Sequence, residues 1–497
     1  MSAIPLALPK TMLPSPEGAL SAGVTSQWVK ILPNNISSIV SDEVSVPTAV
    51  STFQKVTIGS QPIQFELPTG GPNQFLDVAK STVSFRVNYQ VSTASSANYS
   101  NIDCYLQSSA HSYFERIQTY VAGQAVDDVT GLNLAMGEET VYSFNSAERD
   151  VNWHLGLLAE NSGTSSQNKV QGHYIDSVIT GSSATSIPAS SEIYSYEIPL
   201  MSSLFGPKNK SMVPLGKVGK SQIVLTTPQL APLTMFAKSD SNGTGAGAKF
   251  KMTIDQFAIN WFVVTLDDRS SSLLGGALNG EFYAHSITHR VGFGTINAST
   301  SGQTSVQIPV RVKSARSLST RFSENSQSVA GSLNGIYDSK CPLASSINYF
   351  IASKQRIPPN PLNLTTEIAR AYSHAIDAGF VDDYETYKQR SGLAPNSYCT
   401  YVTTGTAVAD ADKYDARFIT AGSSTAGDNL SCFSFAEDLR VTSTSSNYLC
   451  GQDLTVSNSF LELSLAKSNT NALNVAFIAH ADILYMFKGD GTVSFSV

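Results

Sequence analysis

Two histidines in the second half of the chain have a spacing that could support metal chemistry. His285 and His289 lie four residues apart, as do the two zinc ligands that a metalloprotease presents on one face of a helix. Position 286, however, is a serine where zinc proteases carry a glutamate, and the surrounding Ile and Thr favour a strand. On a strand, residues four apart are separated by two pleats. We therefore interpret both histidines as structural.

A second polar pair lies in the last apolar segment. His480 and Asp482 alternate along a predicted strand, so they share one face and could pair. No serine or cysteine in the strained strand-to-helix turn of a hydrolase accompanies them. We interpret this pair as a polar patch with its hydrogen bonds satisfied.

Two glycine-containing segments partly match nucleotide-binding motifs. Residues 214–221 end in the Gly-Lys-Ser of a P-loop, but Pro214 occupies the first glycine position and a β-like run follows where a helix is needed. Gly243, Gly245 and Gly247 lie in a polar segment before a strand. Neither segment predicts a cofactor site.

An acidic cluster, Asp382, Asp383 and Glu385, could in principle supply the paired carboxylates of a glycosidase. It follows the end of a predicted helix in a polar turn, so we interpret it as solvated. The sequence therefore predicts no catalytic residue, no cofactor-binding residue and no metal ligand. We expect the protein not to be an enzyme and to have no small-molecule substrate.

The charge balance argues against a general affinity for nucleic acid. The net charge is −7 and the pI is near 5.5, whereas nucleic-acid binding requires a basic face. We interpret two small basic groups as solvated or interface charges; they are Lys208, Lys210, Lys217 and Lys220, and Arg311, Lys313, Arg316 and Arg321.

Cysteine usage and the N-terminus bear on the compartment. The cysteines are odd in number and far apart, which favours buried thiols in a reducing compartment. The first ten residues lack the pattern of a signal peptide, and no apolar run reaches the roughly 18 residues of a membrane span. We expect synthesis in the cytosol without a signal peptide.

The segment 251–270 has the period of a half-buried strand. Met252 and Ile254 lie at even positions, whereas Phe257, Ile259 and Trp261 lie at odd positions, which predicts a β-bulge near Gln256. Residues 471–497 repeat the design, with apolar residues at one parity before a Lys-Gly-Asp-Gly turn.

These two segments end halves of nearly equal length, which predicts two similar β domains in tandem. We place them at residues 49–270 and 271–497, after an extended, proline-rich arm over residues 1–48. The arm carries apolar residues, so we expect it to lie against another surface. Further patterns predict a short helix near 109–115, a hairpin turn at Ala122-Gly123, short helices within 131–158, a helix over 365–378, and long loops at 160–192 and 391–430.

Six segments, in order, resemble double jelly-roll major capsid proteins, particularly those of Polinton-like viruses, virophages and adintoviruses. They are the opening strands at 63–82, the helix and turned strand at 108–125, Val213-Pro214-Leu215, the Ile-Pro-x-Arg-like segment 307–318, the strand and proline pair at 349–362, and the terminal strand 473–493. Where that family commonly has glycine before the proline run, this chain has Ala352-Ser353.

The resemblance implies an all-β chain of two tandem eight-stranded jelly-roll barrels with few short helices and long loops. It implies a homotrimer that acts as a pseudo-hexameric capsomer in the icosahedral shell of a DNA virus, and hence a location in the virion. The implied partners are neighbouring capsomers, penton proteins and minor capsid or cement proteins, with at most weak contact to the genome or an inner membrane. The long loops would face outward, and the arm would reach beneath neighbouring capsomers.

Two alternatives remain open at this stage. One is a carbohydrate-binding or carbohydrate-active β-sandwich protein, against which the absence of a signal peptide argues. The other is a transient double jelly-roll scaffold protein, absent from mature virions.

Overall fold

The computed structural model describes residues 24–45, 53–92, 101–107, 109–143, 172–180, 190–209, 211–238, 249–268, 270–272, 282–298, 300–324, 344–356, 361–362, 370, 373–374, 377–378, 434–441, 450–456, 458–465, 472–488 and 491–496. The strands are β1 Thr25–Ile31, β2 Ser38–Val40, β3 Val44–Ser45, β4 Phe53–Thr57, β5 Pro62–Leu67, β6 Gln74–Leu76, β7 Thr82–Val91, β8 Asn101–Gln107, β9 Arg116–Val121, β10 Gln124–Thr130, β11 Gly172–Thr180, β12 Ser190–Pro199, β13 Val213–Pro214, β14 Ser221–Thr226, β15 Leu230–Lys238, β16 Lys249–Thr265, β17 Phe282–Ile296, β18 Gly302–Gln307, β19 Ala315–Glu324, β20 Ala344–Ile351, β21 Lys354–Gln355, β22 Ser434–Asp438, β23 Phe460–Leu465, β24 Leu473–Phe487 and β25 Val493–Ser496. Helix α1 spans Leu132–Ser143, and short 3₁₀ turns span Val78–Lys80, Ala110–Tyr113 and Leu215–Lys217.

The first half is organised around β16. One sheet has the order β12-β7-β16-β6-β13, and two further sheets have the orders β10-β9-β14-β5 and β11-β8-β15-β4. The register of β16 against β7 shifts between Asp255 and Ala258, and Gln256 has a φ of 54°. The extra residue moves the buried side chains from even to odd positions. The bulge predicted near Gln256 is therefore confirmed.

The described part of the arm belongs to this sheet. Strand β7 pairs with one edge of β16. Strands β1, β2 and β3 pair antiparallel with the other edge of β16. Ile31 and Ile39 are buried in the first hydrophobic core, whereas Trp28, Leu32 and Val40 remain exposed. The arm is extended, as predicted, and it lies against its own chain. The domain boundaries at 48/49 and 270/271 stay predictions.

Two tight turns connect hairpins where the chain adopts left-handed backbone. Ala122 and Gly123 have φ of 49° and 81° between β9 and β10, which confirms the predicted turn. Ala352 and Ser353 have φ of 51° and 61° between β20 and β21. Two-residue hairpin turns with φ positive at both positions favour Gly or Asn. Ala352 and Ser353 adopt this conformation without glycine.

The described strands of the second half form two sheets, with the orders β17-β24-β19-β22, extended by β25 on β24, and β18-β23-β20-β21. The long strands β17 and β24 pair over their whole length. Strand β18 ends at Gln307 because Pro309 lacks the N–H needed to continue a ladder, although Ile308, Val310 and Val312 remain buried. The alternation of Val306, Ile308, Val310 and Val312, which is typical of one strand, therefore continues beyond the end of β18.

The two hydrophobic cores share the long strands. In β24, the odd-numbered residues from Leu473 to Ala481 pack in the second core, whereas Ile483, Tyr485 and Phe487 pack in the first. Strand β17 likewise contributes Phe282 to the first core and Ile296 to the second. Each half therefore has a core of its own, and the ends of β17 and β24 extend from the second half into the first core.

The remaining sequence predictions have mixed outcomes. The helices predicted near 109–115 and within 131–158 correspond to the 3₁₀ turn Ala110–Tyr113 and to α1. The predicted loop at 160–192 contains β11, which pairs with β8. The described positions within 365–378 are helical up to Asp377, and the loop at 391–430 lies outside the described residues. No helix in the described ranges has the length and hydropathy of a membrane-spanning segment.

Candidate functional site

The two halves meet around β17. The first half reaches this strand through β10 and α1, which Gly131 joins with a φ of 73°. A Cβ atom at Gly131 would lie 3.1 Å from Val291 of β17, so the backbone approaches closely where glycine allows it. Side chains on both faces of β17 are buried here, including Thr288 on one face and His289 on the other. We call this contact region the half–half interface.

A buried carboxylate is the centre of one side of the interface. Asp127 of β10 is 1% exposed in its side chain and lies 3.0 Å from Nη1 of Arg290. The Thr288 hydroxyl donates to the same Oδ1 at 2.9 Å, and the Ser203 hydroxyl contacts Oδ2. The Ser203 and Tyr485 hydroxyl oxygens lie 2.5 Å apart. These bonds offset the desolvation of the charge and join residues from both halves.

Burial also determines the ionisation of Tyr485 in this network. It raises the pKa of the Tyr485 hydroxyl well above its ordinary value, with the charge of Asp127 acting in the same direction. The hydroxyl therefore stays protonated at neutral pH and acts as a neutral hydrogen-bonding group.

The opposite face of β17 carries a second cluster, because alternate strand residues point to opposite faces. His289 Nε2 lies 3.1 Å from Oε2 of Glu139, which α1 supplies, and Lys208 contacts Oε1 of the same carboxylate. His480 of β24 is directly opposite His289 in the strand register, and the two rings are nearly perpendicular with centroids 4.8 Å apart.

The charges in this second cluster are balanced. Burial by itself would raise the pKa of the Glu139 carboxyl, but the charge of Lys208 and the hydrogen bond with His289 hold that pKa well below its ordinary range. Burial lowers the pKa of His480 to about 3, and proximity to His289 acts in the same direction. At neutral pH, Glu139 is therefore ionised and His480 is neutral.

Asp482, which the sequence predicts to share a strand face with His480, has its carboxylate bound by groups from other elements. Asp482 Oδ1 lies 2.9 Å from His285 Nε2, and Ser314 Oγ donates to Oδ2 at 2.7 Å. The Cys450 backbone N–H also donates to Oδ2, at 3.2 Å. Ser314 bonds the carboxylate rather than an imidazole, so the three side chains do not form the serine–histidine–aspartate relay of a hydrolase.

The other sequence candidates have structural roles or lie outside the described residues. Segment 214–221 leads directly into β14, so a strand follows where a P-loop requires a helix. Lys208 lies near the partly buried carboxylate of Glu139, and Arg316 lies near the buried carboxylate of Asp482. The remaining segments, Gly243–Gly247 and the acidic cluster at 382–385, are outside the described ranges.

Sequence reasoning missed Asp127, Glu139 and Arg290. The β9–β10 register shifts between Ala125 and Asp127, and such a bulge changes which side chains face inward. In the consecutive acidic pair Asp127-Asp128, the first is buried and the second is bound to Arg116 nearer the surface. One feature of the sequence indicates this site: β17 has polar residues at both even and odd positions, so both faces of the strand carry polar groups.

Comparison with known proteins identifies the fold. No family model matches the sequence, and no curated protein matches it. The mavirus major capsid protein, solved by crystallography, is 11% identical with a TM-score of 0.51, and the match covers 91% of this chain and 92% of that one. A chain of the Sputnik virophage, solved by cryo-EM, is 10% identical with a TM-score of 0.54, covering 100% and 93%.

The Faustovirus major capsid protein is 8% identical with a TM-score of 0.53, and the match covers 93% of this chain and 90% of that one. Because these matches extend over nearly the full length of both partners, the chain has the double jelly-roll fold. The predicted fold class is confirmed.

Proposed function

We propose that the protein is a major capsid protein whose homotrimers are the capsomers of an icosahedral DNA virus shell. The observation that carries this proposal is the double jelly-roll fold over nearly the whole chain, which is shared with the mavirus and Faustovirus major capsid proteins. The proposal places the protein in the virion, in contact with neighbouring capsomers and with penton and minor capsid or cement proteins.

The geometry of the chain supports this role. A subunit with two similar barrels gives a three-fold trimer six lobes, and six lobes fit a hexagonal lattice. The buried network at the half–half interface holds the two lobes in one relative orientation within the subunit. A shell subunit needs such rigidity more than it needs an active site.

The arm offers a surface for contact between capsomers. Trp28, Leu32 and Val40 are 58%, 62% and 48% exposed in the single chain. Burying such side chains against a neighbour is favourable by about 25 cal/mol per Å² of apolar surface. We assign this surface to contacts beneath adjacent capsomers.

The experiment is assembly of the purified full-length protein, followed by light scattering and negative-stain microscopy. We expect a trimer near three times the 53.0 kDa chain mass and ordered arrays or particles. The double variant W28S/L32S should keep the trimer but lose the arrays, whereas Val441→Ser, a 72% exposed position outside the arm, serves as the matched control. Monomer at every concentration, without arrays, would contradict the capsid proposal.

Two further measurements separate the alternatives. Specific binding on a glycan array would favour a carbohydrate-binding β-sandwich protein instead. Absence from purified mature virions, despite trimer formation in vitro, would favour a transient scaffold.

A further inference from the structure

Three side chains with metal-binding donor atoms converge at the half–half interface. Glu139 comes from α1 of the first half, whereas His289 and His480 come from β17 and β24 of the second half. One carboxylate oxygen and two imidazole nitrogens, one from each residue, all lie within 4.8 Å of one another. Residues more than 100 positions apart therefore form one compact donor set.

The fold determines this convergence on the histidine side. His289 and His480 are register partners in an antiparallel pair, and directly opposite residues in such a pair present their side chains on the same face. Both strands are long and lie within one sheet, so the separation of the two imidazoles is held by the backbone ladder. The 3.1 Å contact between His289 Nε2 and Glu139 Oε2 then places the carboxylate beside them.

The donor set suits one chemical class of ligand. Two imidazoles and one carboxylate are a common protein ligand set for Zn²⁺, which completes a tetrahedron with water or another ligand. The nitrogen that coordinates a metal does so through its lone pair, so each imidazole binds in its deprotonated, neutral form. The Glu139 carboxylate supplies the negative charge that a divalent cation requires.

We propose that Glu139, His289 and His480 bind a divalent transition-metal ion, Zn²⁺, that cross-links the two halves of the subunit. This assigns a metal site where the sequence analysis predicted none, and it is independent of the proposed capsid function. The site would act as an inter-barrel clamp, since its ligands come from both halves.

Binding requires two local adjustments. Tetrahedral ligands at about 2.0–2.1 Å from zinc lie about 3.4 Å apart, so the widest separation, 4.8 Å, must close by side-chain rotation. Lys208, whose side chain is 29% exposed, would move its ammonium group towards solvent as the metal takes over neutralisation of Glu139. Coordination through His289 Nε2 would require the lone pair of that nitrogen, so a proton on Nε2 would pass to solvent or, through water, to Nδ1 of the same ring.

The test uses the full-length protein, treated with a chelator and then dialysed. Equilibrium dialysis with Zn²⁺ should give one ion per chain, and Zn²⁺ should raise the thermal midpoint of unfolding. Substitution by Co²⁺ should produce the visible absorption bands of a tetrahedral site. Glu139→Gln keeps the size of the side chain and its capacity for hydrogen bonds, so it should fold, yet it should weaken Zn²⁺ binding by more than about tenfold.

His480→Asn should weaken Zn²⁺ binding similarly. The matched control is His374→Asn, because His374 also pairs with a carboxylate, Glu437, at 2.5 Å, but lies outside the interface. Retention of zinc affinity and of the cobalt spectrum in this control would support the assignment. Absence of stoichiometric Zn²⁺ binding in the wild type, or unchanged affinity in Glu139→Gln, would overturn it.

Discussion

Arg290 lies with its Nη1 atom 3.0 Å from Oδ1 of Asp127, a carboxylate 163 positions earlier in the chain. The Asp127 side chain is 1% exposed, whereas that of Arg290 is 23% exposed. One end of this ion pair is thus fully withdrawn from water, and the pair joins the first half of the subunit to the second. Its removal tests how far the two halves depend on each other for stability.

Arg290→Met should lower the free energy of unfolding by about 3 kcal/mol, because it leaves a buried carboxylate without its cationic partner. Chemical denaturation followed by circular dichroism measures this difference. The control is Arg116→Met, which removes an ion pair with Asp128 whose side chains are 40% and 38% exposed. Such surface pairs contribute about 1 kcal/mol or less. Equal losses in the two variants would contradict the importance of the interface pair.

Trp261→Ala should destabilise the protein by about 3–5 kcal/mol, as large-to-small substitutions in a core do. Trp261 is 1% exposed, and its ring centroid lies 5.4 Å from that of Phe205. Trp28→Ala is the matched control, since Trp28 is 58% exposed and its ring centroid lies 5.1 Å from that of Phe262. The control should change the thermal midpoint little; similar shifts in both variants would exclude Trp261 from a central packing role.

The stability of the protein should fall between about pH 6.5 and pH 4 in part because of His111. Burial lowers the pKa of this histidine from 6.5 to about 4, although Glu139 opposes the shift and Lys208 adds to it. In this window the unfolded chain binds a proton at His111 that the folded protein does not, so acid favours unfolding. The contribution amounts to about 3 kcal/mol at pH 4.

His111→Gln removes the titrating group and provides the comparison. Between pH 7 and pH 4, the wild type should lose about 3 kcal/mol more unfolding free energy than the variant. Urea denaturation at a series of pH values measures both profiles. Parallel profiles would show that His111 is not buried in its neutral form.

Removal of residues 1–45 should destabilise the first half, because it deletes β1, β2 and β3 and their pairing with β16. Loss of the buried side chains of Ile31 and Ile39 should by itself cost at least about 3 kcal/mol. Removal of residues 1–20 keeps every described strand and serves as the control. A thermal midpoint unchanged by the longer deletion would support a purely assembly-related role for the arm, which is the role that the resemblance to capsid proteins implies.

Local patterns in the sequence were sufficient for the class of fold. The alternation along β16, with its change of parity at Gln256, follows from burial of one face of a strand and can be seen within a dozen residues. The turn at Ala122-Gly123 depends only on two backbone angles. The repetition of a long apolar strand at the end of each half indicated two tandem β domains, and the resemblance to capsid proteins supplied the double jelly roll.

The partners of the buried charges were decided by tertiary structure alone. Asp127 meets Arg290 and Glu139 meets His289 because β10 and α1 pack against β17, and nothing in the local period of either segment encodes that contact. His289 faces His480 because of a strand register set over fifteen residue pairs. Periodicity reports which side of a strand is buried; which charge lies opposite depends on sheet packing between segments that are distant in sequence.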